Sequence, residues 1–375
     1  MDNNSQIAEK LISLSKSFGA DDADVMITES RETSYSQRLG KVEGIERSES
    51  KDIGLRVFVN DAKGRKVAVT STNNILESNL SEIAETTTQS AKIANVDEHL
   101  RLAEKDEFSS EIPNIELYCD TELAPKKLEE LAGQAEQAAL DVEGITNSEG
   151  AEAAYSKGEI SIYSSKGFEG MFKSSGYSVS VSVIASNDDG METDYDYSYK
   201  RFFEDLDSPE KIGKNAGELA AQKLSPRKIS SCKAPIIFDP RVSKSILGTL
   251  CSAINGSAVV KESTFLLDKL EQQIFPENIN IFDDPNINRG IASEPFDAEG
   301  IKAENLALIE NGVLKSWILD IRTASKLGLK SNGRAARSVC SNPHPSASNV
   351  YMNKGEKSPQ DLIKEIDKGL YLTDT

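Results

Sequence analysis

Histidine is nearly missing from this sequence: His99 and His344 are the only two among 375 residues. Two imidazoles in distant parts of a chain cannot by themselves build a three-ligand zinc site. The spacings His-Glu-x-x-His, Gly-x-Ser-x-Gly and Gly-x-x-x-x-Gly-Lys-Ser/Thr are also absent, which removes the simplest routes to a zincin, an α/β-hydrolase and a P-loop enzyme. The four cysteines, Cys119, Cys232, Cys251 and Cys340, are widely spaced and form no Cys-x-x-Cys pair. They read as reduced, unpaired thiols. A Cys-His nucleophilic pair would need the fold to bring His99 or His344 to one of them. His99 sits in Asp97-Glu98-His99 and, without a second histidine nearby, is expected to be a solvated surface residue.

Long apolar runs are missing too. No stretch approaches the roughly 20 apolar residues of a membrane helix, and Met1-Asp2-Asn3-Asn4 lacks the basic and apolar regions of a secretory signal. A cytoplasmic protein is expected, with no membrane partner. Positive charge is short: 43 basic against 61 acidic residues give a net charge of −18 and a pI near 4.8. Such a surface repels nucleic-acid phosphates, and a DNA-binding role would need a local basic patch. The densest candidate, Lys223 to Lys233, reads as a linker around Pro226.

What is present is clearest in Leu306 to Asp320. Two apolar runs flank Asn311-Gly312, the dipeptide of a two-residue type I′ hairpin turn. Leu306, Leu308, Val313 and Ile318 are too apolar for two wet faces, and Trp317 is the only tryptophan, so the hairpin belongs inside a larger sheet. Upstream, Phe296-Asp297-Ala298-Glu299-Gly300 is an acidic turn leading into it.

Taken in order, the chain alternates helical and strand periods. An amphipathic helix over 5–18 precedes an antiparallel meander over 24–70, and a helix over 74–94 covers its dry face with Ile75, Leu80, Ile83 and Ile93. Pro113 marks a boundary. The plan then recurs without residue-level repetition: a helix over 125–140, strands, and a helix over 209–224 opened by Ser208-Pro209. Val179, Val181 and Val183 give one strand a dry face. Tyr195, Tyr197 and Tyr199 are expected on the half-buried face of the next, with a surface for another chain as the alternative. Past a polar linker, a helix carries Val242, Ile246, Leu250 and Ile254 on one face, and a short helix over 323–327, a loop over 331–337 and a final helix capped by Ser358 follow. The fold class is therefore α+β, with antiparallel sheets flanked by helices in successive segments and a mostly β C-terminal domain. The segments are 1–114, 115–225 and 226–375.

Several short stretches together resemble the TldD/PmbA family, once called modulators of DNA gyrase. They are Gly54-Leu55-Arg56-Val57-Phe58, Phe296-Asp297-Ala298-Glu299-Gly300, Asn311-Gly312-Val313-Leu314-Lys315-Ser316, Ala324-x-x-Leu327-Gly328-Leu329, Asn332-Gly333 and Ile366-Asp367-Lys368-Gly369-Leu370-Tyr371. The resemblance implies a cytosolic metallopeptidase built from paired, related subunits and acting on unfolded or short peptides. Its TldD-type subunit holds zinc through His-Glu-x-x-x-His on a helix of the third segment, with a later cysteine. Here that helix reads Ile246-Leu247-Gly248-Thr249-Leu250-Cys251-Ser252-Ala253-Ile254-Asn255-Gly256. It has neither histidine nor the glutamate, so the chain is similar to the PmbA, or TldE, type of subunit.

The expectation is a structural partner with no catalytic or metal-binding residue of its own, and zinc in a TldD-type sibling. Its sheets would help enclose a cavity where an extended peptide adds to a strand edge, and the chain alone could form a homodimer. Phe296, Asp297, Gly300, Asn332, Gly333 and Arg334 are the candidate peptide-contact region, with Arg334 and Arg337 suited to a peptide carboxylate or to the chain's own acidic surface. The resemblance also implies a C-terminal domain truncated at Thr375. A self-sufficient peptidase and a non-enzymatic gyrase modulator are the alternatives.

Overall fold

The computed structural model describes residues 3–109 and 112–374; Met1, Asp2 and Thr375, at the ends of two stretches read above, lie outside it. Helix α1 (Asn3–Ser17) leads into β1 (Asp22–Arg38), β2 (Lys41–Asp61) and β3 (Gly64–Thr72), followed by α2 (Glu77–Ile93). After an irregular connection come α3 (Pro125–Leu140), β4 (Ile145–Ser164), β5 (Glu169–Asn187), β6 (Gly190–Lys200) and α4 (Pro209–Gln222).

The strands of the two segments join into one antiparallel sheet of order β3-β2-β1-β4-β5-β6. Its centre is the β1–β4 pair, running from Asp24 opposite Ser164 to Gln37 opposite Ala151. Antiparallel pairing of the first strand of each half relates the two helix-strands-helix units by an approximate two-fold axis. Sequence comparison of the halves misses this, because two-fold architecture constrains the period of burial and leaves side-chain identity free.

Alternation decides the faces. Val25, Ile27, Leu55 and Val57 turn toward α1 and α2, where Leu11, Leu80 and Ala84 complete a core. Val179, Val181, Val183 and Ala153 turn toward α3 and α4, meeting Leu128, Ala132, Ile212 and Ala216. Both helix pairs therefore lie on one face. Ser208 caps α4 by accepting from Lys211 N, as its position before Pro209 predicts.

The third segment builds β7 (Ile236–Phe238), α5 (Pro240–Ala253), α6 (Gly256–Val260), β8 (Ile281–Asp283), β9 (Leu306–Glu310), β10 (Val313–Leu314), α7 (Ile321–Lys326), β11 (Ala335–Ala336), β12 (His344–Pro345), β13 (Val350–Met352), α8 (Pro359–Lys364) and β14 (Leu370–Leu372). The predicted hairpin is β9–β10. Asn311 and Gly312 both take positive φ, 49° and 77°, and the hairpin sits in a sheet of order β10-β9-β8-β13. Trp317, Ile254, Leu250, Ile281 and Leu308 form the core beneath it. Strand β14 pairs parallel to β7.

Three expectations change. Ile75 precedes α2 and Ile93 ends it, so both are exposed, at 47% and 88%, while Leu80, Ala84, Thr87, Thr88 and Ala91 make the buried face. On β6 the buried face is the polar one. Asp194 is paired with Lys223 at 3.1 Å and Arg241 at 2.9 Å, and Ser198 bonds Asp207, so both can be buried satisfied. Tyr195 and Tyr197 are left half exposed and stacked on the other side. Finally, His99 is half-buried, with Nδ1 2.9 Å from Ser325 Oγ on α7.

Candidate functional site

The third segment docks on the face of the large sheet that carries no helices. Met26 of β1 and Ile162 of β4 meet Phe168 and Phe296 there, and Phe296 lies edge-on to Phe168 at 5.2 Å and to Phe172 at 5.5 Å. Gly54 makes the approach possible. A Cβ on it would stand 2.1 Å from Val339 O, so the loop after β11 passes directly over β2 where only glycine fits.

Beside this contact the sheet buries charge. Asp24 and Arg56 are register partners on β1 and β2, with Arg56 Nε 3.1 Å from Asp24 Oδ1, and Arg337 of the docked loop donates from Nη1 to the same oxygen at 2.9 Å. Burial would raise the Asp24 pKa, but the Arg337 and Arg56 guanidiniums outweigh it and hold the carboxyl below its ordinary value. Among the described residues, Arg337 Nε and Nη2 have no hydrogen-bond partner. Burial lowers the Arg337 pKa against the pull of Asp24.

The acidic turn is held from within. Asp297 is 4% exposed; its Oδ1 accepts from Glu299 N and Ile301 N, both at 2.9 Å, and its Oδ2 accepts from Ala335 N at 3.1 Å. Gly300, at φ 80°, closes the turn. Desolvation nevertheless raises the Asp297 pKa. Glu299, which accepts from Ile321 N at the start of α7, is raised by desolvation and then by the neighbouring Asp297.

Arg334 is buried. Its Nε meets Asp283, Nη2 donates to Asp283 O and Glu304 O at 2.9 and 2.7 Å, and Nη1 donates to Asn332 O. Asn332 in turn accepts from Leu319 N and donates to Trp317 O. Of the six residues singled out from sequence, Phe296, Asp297, Gly333 and Arg334 line one cavity of about 220 Å³, together with Glu294 and Ser348. Gly300 and Asn332 do not line it. That volume suits a side chain better than a length of peptide. Asp24 and Asp283 went unselected in the sequence, and Arg56 and Glu299 entered only within the stretches that carry the resemblance; strand register and burial single out their role.

Helix α5 presents another surface. Ile246, Leu247 and Leu250 line an apolar cavity of about 200 Å³ with Phe275, Ile279 and Met352. Thr249 and Ser252 turn their hydroxyls back to Ser245 O and Gly248 O in the preceding turn. The Cys251 thiol is pushed up to about 11, by burial and then by Asp283. Among the described residues no three His, Cys, Asp or Glu side chains gather in a way that could hold a metal ion.

A shared sheet with two helix-flanked halves and a β-rich third part locked on its open face define a three-part α+β class. Comparison with known proteins sharpens this. The PmbA/TldA metallopeptidase domain 1, central domain and C-terminal domain match residues 23–94, 120–224 and 231–375 in that order. The chain belongs to the PmbA/TldA metallopeptidase family. It is 33% identical over 356 residues to the metalloprotease PmbA of Escherichia coli O157:H7, covering 95% of this chain and 76% of that protein. It is 35% identical over 315 residues to a metalloprotease PmbA homolog of Haemophilus influenzae, covering 84% and 69%. A crystal structure from Bacteroides thetaiotaomicron, described as a candidate modulator of DNA gyrase, superposes with a TM-score of 0.91 at 25% identity, covering 100% of this chain and 82% of that one. TldE from Thermococcus kodakarensis shares the fold, with a TM-score of 0.84 at 24% identity over 97% and 81% of the two chains. No described helix is long and apolar enough to cross a membrane.

Proposed function

We propose that this chain is the PmbA/TldE-type subunit of a cytoplasmic heteromeric metallopeptidase acting on unfolded or short peptides, and that it supports a TldD-type sibling without supplying the reacting groups. The observation that carries this reading is α5. A catalytic zinc site asks for three nitrogen, sulfur or oxygen ligands from the protein and an activated water in the fourth position. This helix turns Ile246, Leu247 and Leu250 into an apolar cavity and offers only Cys251, whose thiol burial keeps protonated. These residues do not fit zinc.

What the chain's own residues do is positional. The Asp24–Arg56–Arg337 cluster and the Phe296 contacts fix the third segment against the sheet, so that a sibling would meet a preformed surface.

The test is purification from the native cell with metal analysis and peptide cleavage. Expected are co-purification of a sibling that carries zinc and the histidine motif, less than a tenth of an equivalent of zinc, on the order of background, on the isolated chain, and cleavage only by the pair. Stoichiometric zinc on the isolated chain with cleavage of an unfolded peptide would instead establish a self-sufficient peptidase.

A further inference from the structure

The cavity of about 220 Å³ between the acidic turn and Arg334 has a one-sided bonding capacity. Its side-chain donors are spent. Arg334 places Nε on Asp283 Oδ2, Nη1 on Asn332 O and Gly333 O, and Nη2 on Asp283 O and Glu304 O, which uses every N–H of the guanidinium. Ser346 Oγ donates to Ala347 O and Ser348 Oγ to Asp283 Oδ1. The acceptors are not spent. Among the described residues the Glu294 carboxylate accepts no hydrogen bond and joins no ion pair. Asp297 Oδ2 accepts only from Ala335 N, which leaves it a lone pair.

Charge and shape agree with this. Asp283 neutralises Arg334 within the protein, so the cavity keeps the charges of Glu294 and Asp297. Arg201 acts on Glu294 from a distance, its guanidinium held by Ser175 O, Gly290 O and Ile291 O. Burial, and then Asp297, push the Glu294 carboxyl up to about 7, as expected of a carboxylate that lacks a counter-cation. Pro285, Ala303, Ala335, Ala336 and Ala347 give short apolar walls suited to an aliphatic stem. Exposed Ala292 and Glu294 mark the mouth, and buried Phe296 and Asp297 the floor. The walls are tied in place: Asn286 Nδ2 donates to Ala303 O at 2.9 Å, Ser346 N to Arg334 O at 2.8 Å, and Glu294 N to Pro285 O at 3.1 Å. A bare metal ion asks for more ligands than two carboxylates, and no group of three His, Cys, Asp or Glu gathers among the described residues.

We infer that this cavity is a side-chain pocket for a basic residue, lysine or arginine, of an extended peptide, with the aliphatic stem along the alanines and the cationic N–H groups donating to Glu294 and Asp297. A lysine ammonium or an arginine guanidinium brings donors and no acceptor, the complement of these walls. A carboxylate or phosphate brings acceptors only and meets no free side-chain donor. The inference rests on the peptide-handling role proposed above only for the source of the basic residue.

Titration calorimetry of the purified full chain with acetylated, amidated Gly-Ser-Lys-Ser-Gly tests it, beside the same peptide carrying arginine, or carrying norleucine, which keeps the stem and lacks the charge. The basic peptides are expected to bind about tenfold or more tightly than the norleucine form. Glu294→Gln is expected to abolish that preference with the fold intact by circular dichroism, and Ala292→Trp, at the mouth, to weaken binding of all three. At pH 6.5, in buffers of different ionisation heat, binding of the lysine peptide is expected to release protons from the wild-type chain and none from Glu294→Gln. Equal affinity for lysine and norleucine, a preference that survives Glu294→Gln, or n-butylammonium binding as tightly as the lysine peptide would each overturn the inference. The readout needs no sibling. A chain that prefers basic peptides yet co-purifies with no metallopeptidase partner would keep this inference and end the subunit reading, and a cleaving pair whose isolated PmbA-type chain shows no such preference would do the reverse.

Discussion

Replacing Asp24 by asparagine removes the carboxylate to which two buried guanidiniums both donate. Arg56 and Arg337 have side chains only 4% and 2% exposed, so neither can turn to water when the carboxylate is lost. Breaking a buried pair from one side costs roughly 3–5 kcal/mol, because a charge remains unpaired in a poorly solvated site. Two such charges remain here, which places the expected loss at or above the top of that range.

Arg337→Met separates this from a general intolerance of the site. The wild-type protein already carries two unpaired Arg337 nitrogens, a penalty of about 1–3 kcal/mol that methionine removes. The Asp24–Arg56 pair survives the change, so a net cost within about 2 kcal/mol is expected. Urea titration followed by fluorescence of Trp317, which lies in the third segment, and by far-UV circular dichroism, which reports mainly the large sheet, gives both costs and shows whether the parts unfold together. The pH dependence supplies the sign. The folded-state pKa of Asp24 is depressed, so its stabilisation is present above the ordinary aspartate value near 3.9 and is lost as pH falls through the lower folded value. The Asn variant should therefore lose less stability than the wild type on acidification. An Asp24→Asn cost under about 1 kcal/mol, or an Arg337→Met cost exceeding it, would refute the assignment of Asp24 as the group holding the cluster together.

Glu299 has the opposite sign. Its folded pKa is raised, so the native state holds more protons than the unfolded one from the ordinary carboxylate range up through the raised value, and stability falls as pH rises through that window. Glu299→Gln should leave the melting temperature little changed at pH 5 and raise it relative to wild type at pH 8.5; an equal shift at both would contradict the burial argument. Gly312→Ala places a Cβ 2.2 Å from Phe275 O at φ 77° and should cost about 2 kcal/mol or more in the urea midpoint, whereas Asn311→Gly should be tolerated. Ser208→Ala removes the acceptor for Lys211 N and should cost about 1 kcal/mol, measured in the same titration.

The parts of this fold that could be read in advance are those governed by neighbours in sequence. The β9–β10 turn follows from the backbone freedom of Asn311-Gly312, and α4 from Ser208-Pro209, because a turn or a cap is decided within four residues. The tyrosine row went to the unexpected face for a reason that is not local. Apolar-in, polar-out holds only while buried polar groups lack partners, and Lys223 and Arg241 reach Asp194 from elements 29 and 47 residues away.

The candidate site is less legible still. Asp24, Arg56 and Arg337 are separated by 32 and 313 residues along their hydrogen bonds, and among 61 carboxylates nothing in the sequence marks Asp24.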